Sequence, residues 1–158
     1  LNGLLDACRD EGISTAVETC GMTDQGELLG MGDRVDLFLY DVKVMDTARH
    51  SEATSVGNQT ILTNLAALAA VHAHVVVRFP VIPGVNDDKD NVDLMVEMMC
   101  RLGLREIDLL PYHRIGTDKY RRLGRLYEMA ELQPPSAEVM EGIRRIFADA
   151  GIEARVGG

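Results

Sequence analysis

The chain has 158 residues, 46% hydrophobic and 26% charged, with 16 basic against 25 acidic side chains and a formal net charge of −9. That length suits one domain or part of one with a real core, and the acidic balance repels phosphate backbones, which excludes general nucleic-acid binding. No run approaches the roughly 18 apolar residues of a membrane span, and no basic segment precedes an apolar stretch, so no membrane contact and no secretion are expected. The chain opens on Leu1-Asn2-Gly3 without an initiator Met, so residues are expected upstream. Cys8, Cys20 and Cys100 match no zinc or iron–sulfur spacing and are read as reduced thiols of a cytoplasmic protein.

Helix-like and strand-like segments alternate along the chain. Leu1 to Glu11 is predicted as a helix with Leu4, Leu5 and Cys8 on one face and Gly12 as its stop. Ser14 to Thr19 is a short strand. Met22 to Asp33 is polar and glycine-punctuated and reads as one loose helix. Val35 to Lys43 is a strand, and Met45 to Gly57 a polar loop with some helical turn. Asn58 to Val71 is a helix carrying Ile61, Leu65 and Leu68 inward. His74 to Ile82 is a strand ended by Pro83-Gly84. Asp87 or Asp88 caps the next helix, with Val92, Val96 and Met99 inside and Gly103 as its stop. Glu106 to His113 is a strand. Arg114 to Gln133 is a basic, aromatic connection. Ser136 caps a last helix with Val139, Ile143, Ile146 and Phe147 inward, and Ile152 to Val156 is a final short strand.

Strands separated by helices imply a parallel sheet with right-handed crossovers, and strands this apolar imply cover on both faces. A closed eight-fold barrel takes about 250 residues, so 158 supply about five strand–helix units. The sheet is therefore open, or the chain is part of a larger barrel. A first helix with no strand before it favours the second.

Ligands of parallel α/β sheets sit at the C-terminal strand ends. Four strands end there in groups that a core does not ask for: Glu18-Thr19, Asp41-Val42-Lys43, Arg78 followed by Pro80, and Pro111-Tyr112-His113. Side chains two apart on a strand share a face, so Asp41 and Lys43 point with Leu37 and Leu39, read as inward. Taken singly, each has an ordinary explanation: a fraying strand end, a surface arginine, a loop histidine, a turn glutamate. Their recurrence at the same end of successive strands favours a polar ring of both signs, suited to a zwitterionic, hydroxyl-bearing ligand. Asn86-Asp87-Asp88-Lys89-Asp90 lacks calcium-loop spacing and reads as a helix cap and a solvated loop. His72 and His74 read as structural, and Met95, Met98 and Met99 as core. Arg114, Lys119, Arg121, Arg122 and Arg125 form the basic cluster of an acidic chain.

The segments VETCG, DLFLYDVKVMD, VRFPVIPGVNDD and LLPYHRIGTDKYRRLGRLYE resemble, in order and over essentially the whole chain, the radical S-adenosylmethionine (SAM) activating enzymes of glycyl radical enzymes. PYHRIGTDKY is a specific match; D-x-K alone is weak. The HRIG and VGG wording looks more like the wider set of activases than the pyruvate formate-lyase type itself. The resemblance implies a (βα)6 partial barrel, of which residues 1–158 supply the C-terminal part: the last four parallel strands, plus a C-terminal helix and short strand. It implies reductive cleavage of SAM by a [4Fe-4S] cluster to a 5′-deoxyadenosyl radical. That radical takes hydrogen from a glycine of a partner glycyl radical enzyme, with electrons from a donor such as flavodoxin or ferredoxin. Asp41 and Lys43 match the family D-x-K that contacts SAM, His113 matches a histidine near the ribose, and Arg78 matches an arginine facing the same cavity. Glu18 and Thr19 align with an Asp-Thr pair that, with the aspartate at Asp41, holds a monovalent cation; Glu for Asp departs from that pattern. The CxxxCxxC loop and the glycine-rich GGE segment are absent from the sequence and are expected upstream, so the chain by itself is expected to be inactive. The basic run lies where the partner's glycyl loop would enter.

Two other readings compete. A Schiff-base lyase using Lys43 needs an apolar pocket around that amine, and Asp41 two residues away favours the charged form. A non-catalytic module would dock an acidic partner through Arg121, Arg122 and Arg125.

Overall fold

A computed structural model describes residues 1–114, 122–124, 129 and 131–157. Five strands form one sheet: β1 (Ala16–Thr19), β2 (Leu37–Asp41), β3 (Val75–Val81), β4 (Glu106–Pro111) and β5 (Glu153–Val156). They lie in sequence order and every neighbouring pair is parallel. The expected short last strand is thus a full member of the sheet, paired to β4 from Glu106↔Glu153 to Leu109↔Val156.

Among the described residues the α-helices are α1 (Asn2–Asp10), α2 (Gln25–Leu29), α3 (Thr47–Thr54), α4 (Gln59–Val71), α5 (Lys89–Leu102) and α6 (Ala137–Asp149). Four begin on a side chain that satisfies an orphan amide of the first turn: Asp24 accepts from Glu27, Asp46 from Arg49, Asp88 from Asn91 and Ser136 from Val139. Gly103 ends α5 in the left-handed conformation, φ 72°, where a Cβ would be strained. No helix among the described residues is long and apolar enough to cross a membrane.

One core fills the space between sheet and helices. Phe38, Tyr40, Val77, Phe79, Ile107 and Leu109 meet Leu65 and Leu68 of α4, Met95 and Met99 of α5, and Phe147 of α6. The methionines are packing residues, as expected. His72 is structural as well: its Nε2 lies 2.8 Å from the Val35 carbonyl and its ring stands edge-on to Phe38, centroids 4.9 Å apart.

The structure differs from the sequence-based expectation in three places. The segment read as loop contains α3, whose residues TARHSEAT bury only His50 and show no apolar stripe; the Asp46 cap starts this helix and Ser55 at φ 67° stops it. On α1 and α6, Leu4 and Val139 are exposed, and Leu5 and Met140 take the inward places. The sheet is not covered on both faces: along β2, Phe38 and Tyr40 are fully buried, while Leu37, Leu39 and Asp41 are half-buried. This second, open face carries the polar residues.

Candidate functional site

Strand alternation and register assemble the site. Leu39 pairs with Glu18 on one side and Val76 on the other, and two residues on, Asp41 pairs with Arg78. Glu18, Asp41 and Arg78 therefore share the open face. The same level continues across the sheet, Arg78↔Asp108 and Asp108↔Arg155. Four adjacent strands thus present Asp41, Arg78, Asp108 and Arg155 in one row of alternating sign.

The row is tied by ion pairs. Arg78 reaches over β2 to place Nη1 2.6 Å from Glu18 Oε2, and its Nε stands 3.7 Å from Asp41 Oδ1. Lys43 Nζ lies 3.3 Å from Asp41 Oδ2. Arg155 Nε donates to Asp108 Oδ1 at 3.2 Å, and its Nη2 to Glu106 Oε2 at 2.7 Å. One acceptor is left over: Asp41 Oδ1 is buried and accepts no hydrogen bond among the described residues. A buried carboxylate oxygen with an arginine just beyond bonding distance suits a donor from outside the protein, a hydroxyl or an ammonium group.

Of the residues singled out from the sequence, Glu18, Asp41, Lys43 and Arg78 come together. Thr19 alternates with Glu18 along β1, and its Oγ1 accepts the Gly21 amide at 2.9 Å. His113 follows β4 at the same end of the sheet and is exposed, outside the ion pairs that join the other four. In the basic run, Arg114 donates to the Leu132 and Glu131 carbonyls and Arg122 is exposed; Lys119, Arg121 and Arg125 lie outside the described residues. Lys43 is 36% exposed and beside a carboxylate, unlike the dry apolar pocket that an amine nucleophile requires.

Sequence reasoning missed Glu106, Asp108 and Arg155. The available signal was an acid inside the apolar run EIDLLP at the same parity as Arg78. It becomes meaningful only when the register is known, because its partner Arg155 lies on another strand far along the chain.

The loop after β1 closes this end of the sheet. Gly21 has φ 69°, and a Cβ there would stand 1.6 Å from the Tyr40 hydroxyl. That hydroxyl donates to the Ile61 carbonyl at 2.7 Å. Burial, and then the neighbouring Cys20, push the Tyr40 phenol well above its ordinary range, so it stays a neutral donor. A cavity lined by Arg9, Ile13, Arg34 and Asp36 opens at the opposite, N-terminal end of β1 and β2. Both of its arginines are within ion-pair distance of Asp6, so the strand-end row is the better candidate.

No family model matches the chain. The trans-4-hydroxy-L-proline dehydratase activating enzyme of Clostridioides difficile is 37% identical over 158 residues, which cover 99% of this chain and 52% of that protein. The chain therefore spans about half the length of this curated relative. The crystal structure of a domain of pyruvate-formate lyase-activating enzyme from Bacteroides vulgatus superposes with a TM-score of 0.82 at 31% identity, covering 99% of this chain and 88% of that one. A radical SAM methyltransferase from Sphaerobacter thermophilus shares the fold at 17% identity, with a TM-score of 0.69 over 93% of this chain and 42% of its own.

Proposed function

This chain belongs to the activating enzymes of glycyl radical enzymes, the pyruvate formate-lyase activating enzyme family, and from that premise we propose that its open sheet face holds S-adenosylmethionine. The observation that carries the reading is the buried Asp41 Oδ1, which accepts no hydrogen bond among the described residues, beside Arg78 and Lys43. A ribose hydroxyl or the methionyl ammonium supplies the donor that this oxygen lacks, and Lys43 and Arg78 offer cations to the methionyl carboxylate. His113, at the end of β4, is assigned to the ribose side. Glu18 holds Arg78 in place; the Thr19 side chain alternates to the other face and is engaged by the Gly21 amide, so these side chains do not form the cation set that the resemblance implies.

When bound, SAM would supply the chemistry: one electron from a [4Fe-4S] cluster held outside this chain would break its C–S bond to methionine and a 5′-deoxyadenosyl radical, the species proposed to take hydrogen from a glycine of a partner glycyl radical enzyme. This chain's residues bind and orient SAM and keep its charges compensated in the site. The described cysteines do not fit a [4Fe-4S] cluster: Cys8 is on α1, Cys20 follows β1 and Cys100 is exposed on α5. Among the described residues no three His, Cys, Asp or Glu side chains converge on a metal position. Cluster ligation is assigned to residues outside this chain, and the electron donor is of the flavodoxin or ferredoxin type.

The test is a SAM titration of the isotope-labelled chain followed by amide resonances. Two charge-assisted hydrogen bonds at about 1.5–3 kcal/mol each place the dissociation constant on the order of millimolar. Shifts are expected at Asp41, Lys43 and Arg78; none there at saturating SAM would overturn the reading. Lys43→Ala should weaken binding roughly tenfold to hundredfold, the loss of one such bond.

A further inference from the structure

The β2–β3 ladder stops at Asp41↔Arg78, just before Lys43. The next residue of β3 on that face is Pro80, which has no N–H to donate to β2. A buried side chain takes over. Asn86, fully buried, donates through Nδ2 to the Lys43 carbonyl at 2.9 Å and to the Pro80 carbonyl at 2.7 Å, and its Oδ1 accepts the Ile82 amide at 2.7 Å. All three of its hydrogen-bonding sites that face backbone are thereby used to bridge the ends of β2 and β3.

Two more buried asparagines finish the segment. Asn58 Nδ2 donates to the Val44 and Met45 carbonyls at 2.9 and 2.8 Å. Asn91 Oδ1 accepts the Met45 amide at 2.8 Å, and its Nδ2 donates to the Asn86 carbonyl at 3.0 Å. Val42 donates to the Arg78 carbonyl at 3.0 Å. Lys43, Val44 and Met45, which follow the last strand pair, therefore have their backbone held by side chains from the N-cap of α4, the β3–α5 turn and α5. Val42 and Val44 are buried on the core side, which turns Lys43 between them toward Asp41. The loop expected to be solvated at Asn86 is instead the centre of a satisfied polar network, and such networks rigidify what they hold.

We propose that Asn86, with Asn91 and Asn58, is a positioning set for Lys43. It fixes the Lys43 backbone past the end of the ladder, and thereby the place of the ammonium that meets SAM, without touching SAM. This rests on the SAM reading above. Apolar packing alone would tolerate sliding of a segment with no ladder partner; amide side chains bonded to named carbonyls do not.

The experiment is a double-mutant cycle on the chain, with SAM affinity and amide hydrogen exchange as readouts. Asn86→Ala should raise the SAM dissociation constant about tenfold in the parent and leave it unchanged in the Lys43→Ala background, because coupled sites are non-additive. Without SAM, it should speed exchange at Val44 and Met45 while β1 and β4 keep their protection. An equal penalty in both backgrounds overturns the proposal, as does unchanged exchange at 44–45 in a folded variant. If Asn86→Ala does not fold, Asn91→Ala, at a helical position that accepts alanine, is carried through the same cycle and judged by the same outcomes. If the parent shows no SAM shifts, the SAM reading falls by itself, and the exchange measurement alone supports or overturns the positioning of Lys43.

Discussion

Gly21 is the residue on which the loop after β1 depends. Its φ of 69° disfavours any Cβ, and the Tyr40 hydroxyl occupies the space that a Cβ would enter. Gly21→Ala should cost about 2–4 kcal/mol, as backbone strain and overpacking add. A shift of less than about 0.5 kcal/mol in urea denaturation would show that the loop relaxes freely. The sequence disclosed part of this scale. Asp41, Lys43, Arg78 and Glu18 were legible as a group because charges recur at the same end of successive strands. Asn86, Asn58 and Asn91 were not: an asparagine before or in the first turn of a helix reads equally as a cap or a solvated polar residue, and only burial separates the two. Asp108 was hidden for another reason, since its partner Arg155 is fixed by strand register and not by spacing.

At the scale of elements, strands and long helices were legible because apolar runs here are bounded by Gly, Pro and capping residues. β3 and α5 fall within two residues of their expected ends. α3 was not legible, because a helix with one buried side chain leaves no stripe to read; it is held by tertiary ties. Arg49 of α3 pairs with Asp88, the cap of α5, with Nη1 3.3 Å and Nη2 2.5 Å from its carboxylate, and Nη2 also donates to the Val85 carbonyl at 2.8 Å. The hydrogen bond from Arg49, and then that from the Asn91 amide, hold the Asp88 carboxyl below its ordinary value of 3.8. A depressed folded-state value means stability that is present above 3.8 and is lost as pH falls through the folded value. Asp88→Asn keeps the cap and removes the charge. The parent should exceed it in urea midpoint at pH 6, and the gap should close below pH 3.8. Because Asp88 is 42% exposed, that gap should stay under about 1 kcal/mol. A gap independent of pH would remove Arg49–Asp88 as the tie between α3 and α5.

At the scale of the molecule, the three cysteines sit on separate elements, on α1, after β1 and on α5. Iron–sulfur clusters take thiolates from cysteines within a few ångströms of one another. Anaerobic reconstitution of this chain with iron and sulfide should therefore yield no stoichiometric paramagnetic cluster after dithionite, and no 5′-deoxyadenosine with SAM. Either signal would show a ligand set that these positions do not supply. The alternating row Asp41, Arg78, Asp108 and Arg155 bears on assembly before any ligand arrives. Side chains of a strand change face at every residue, so sliding β3 or β4 by one place would drive Arg78 or Asp108 under the helices and turn Val77 or Ile107 outward. An uncompensated charge in the core costs several kcal/mol. Sliding by two keeps the faces but sets Val76 or Pro80 beside Asp41 and breaks the ion pair. The charges proposed to receive a ligand thus also act as a key cut for a single alignment of the strands, and the protein proofreads its own sheet with them while it folds.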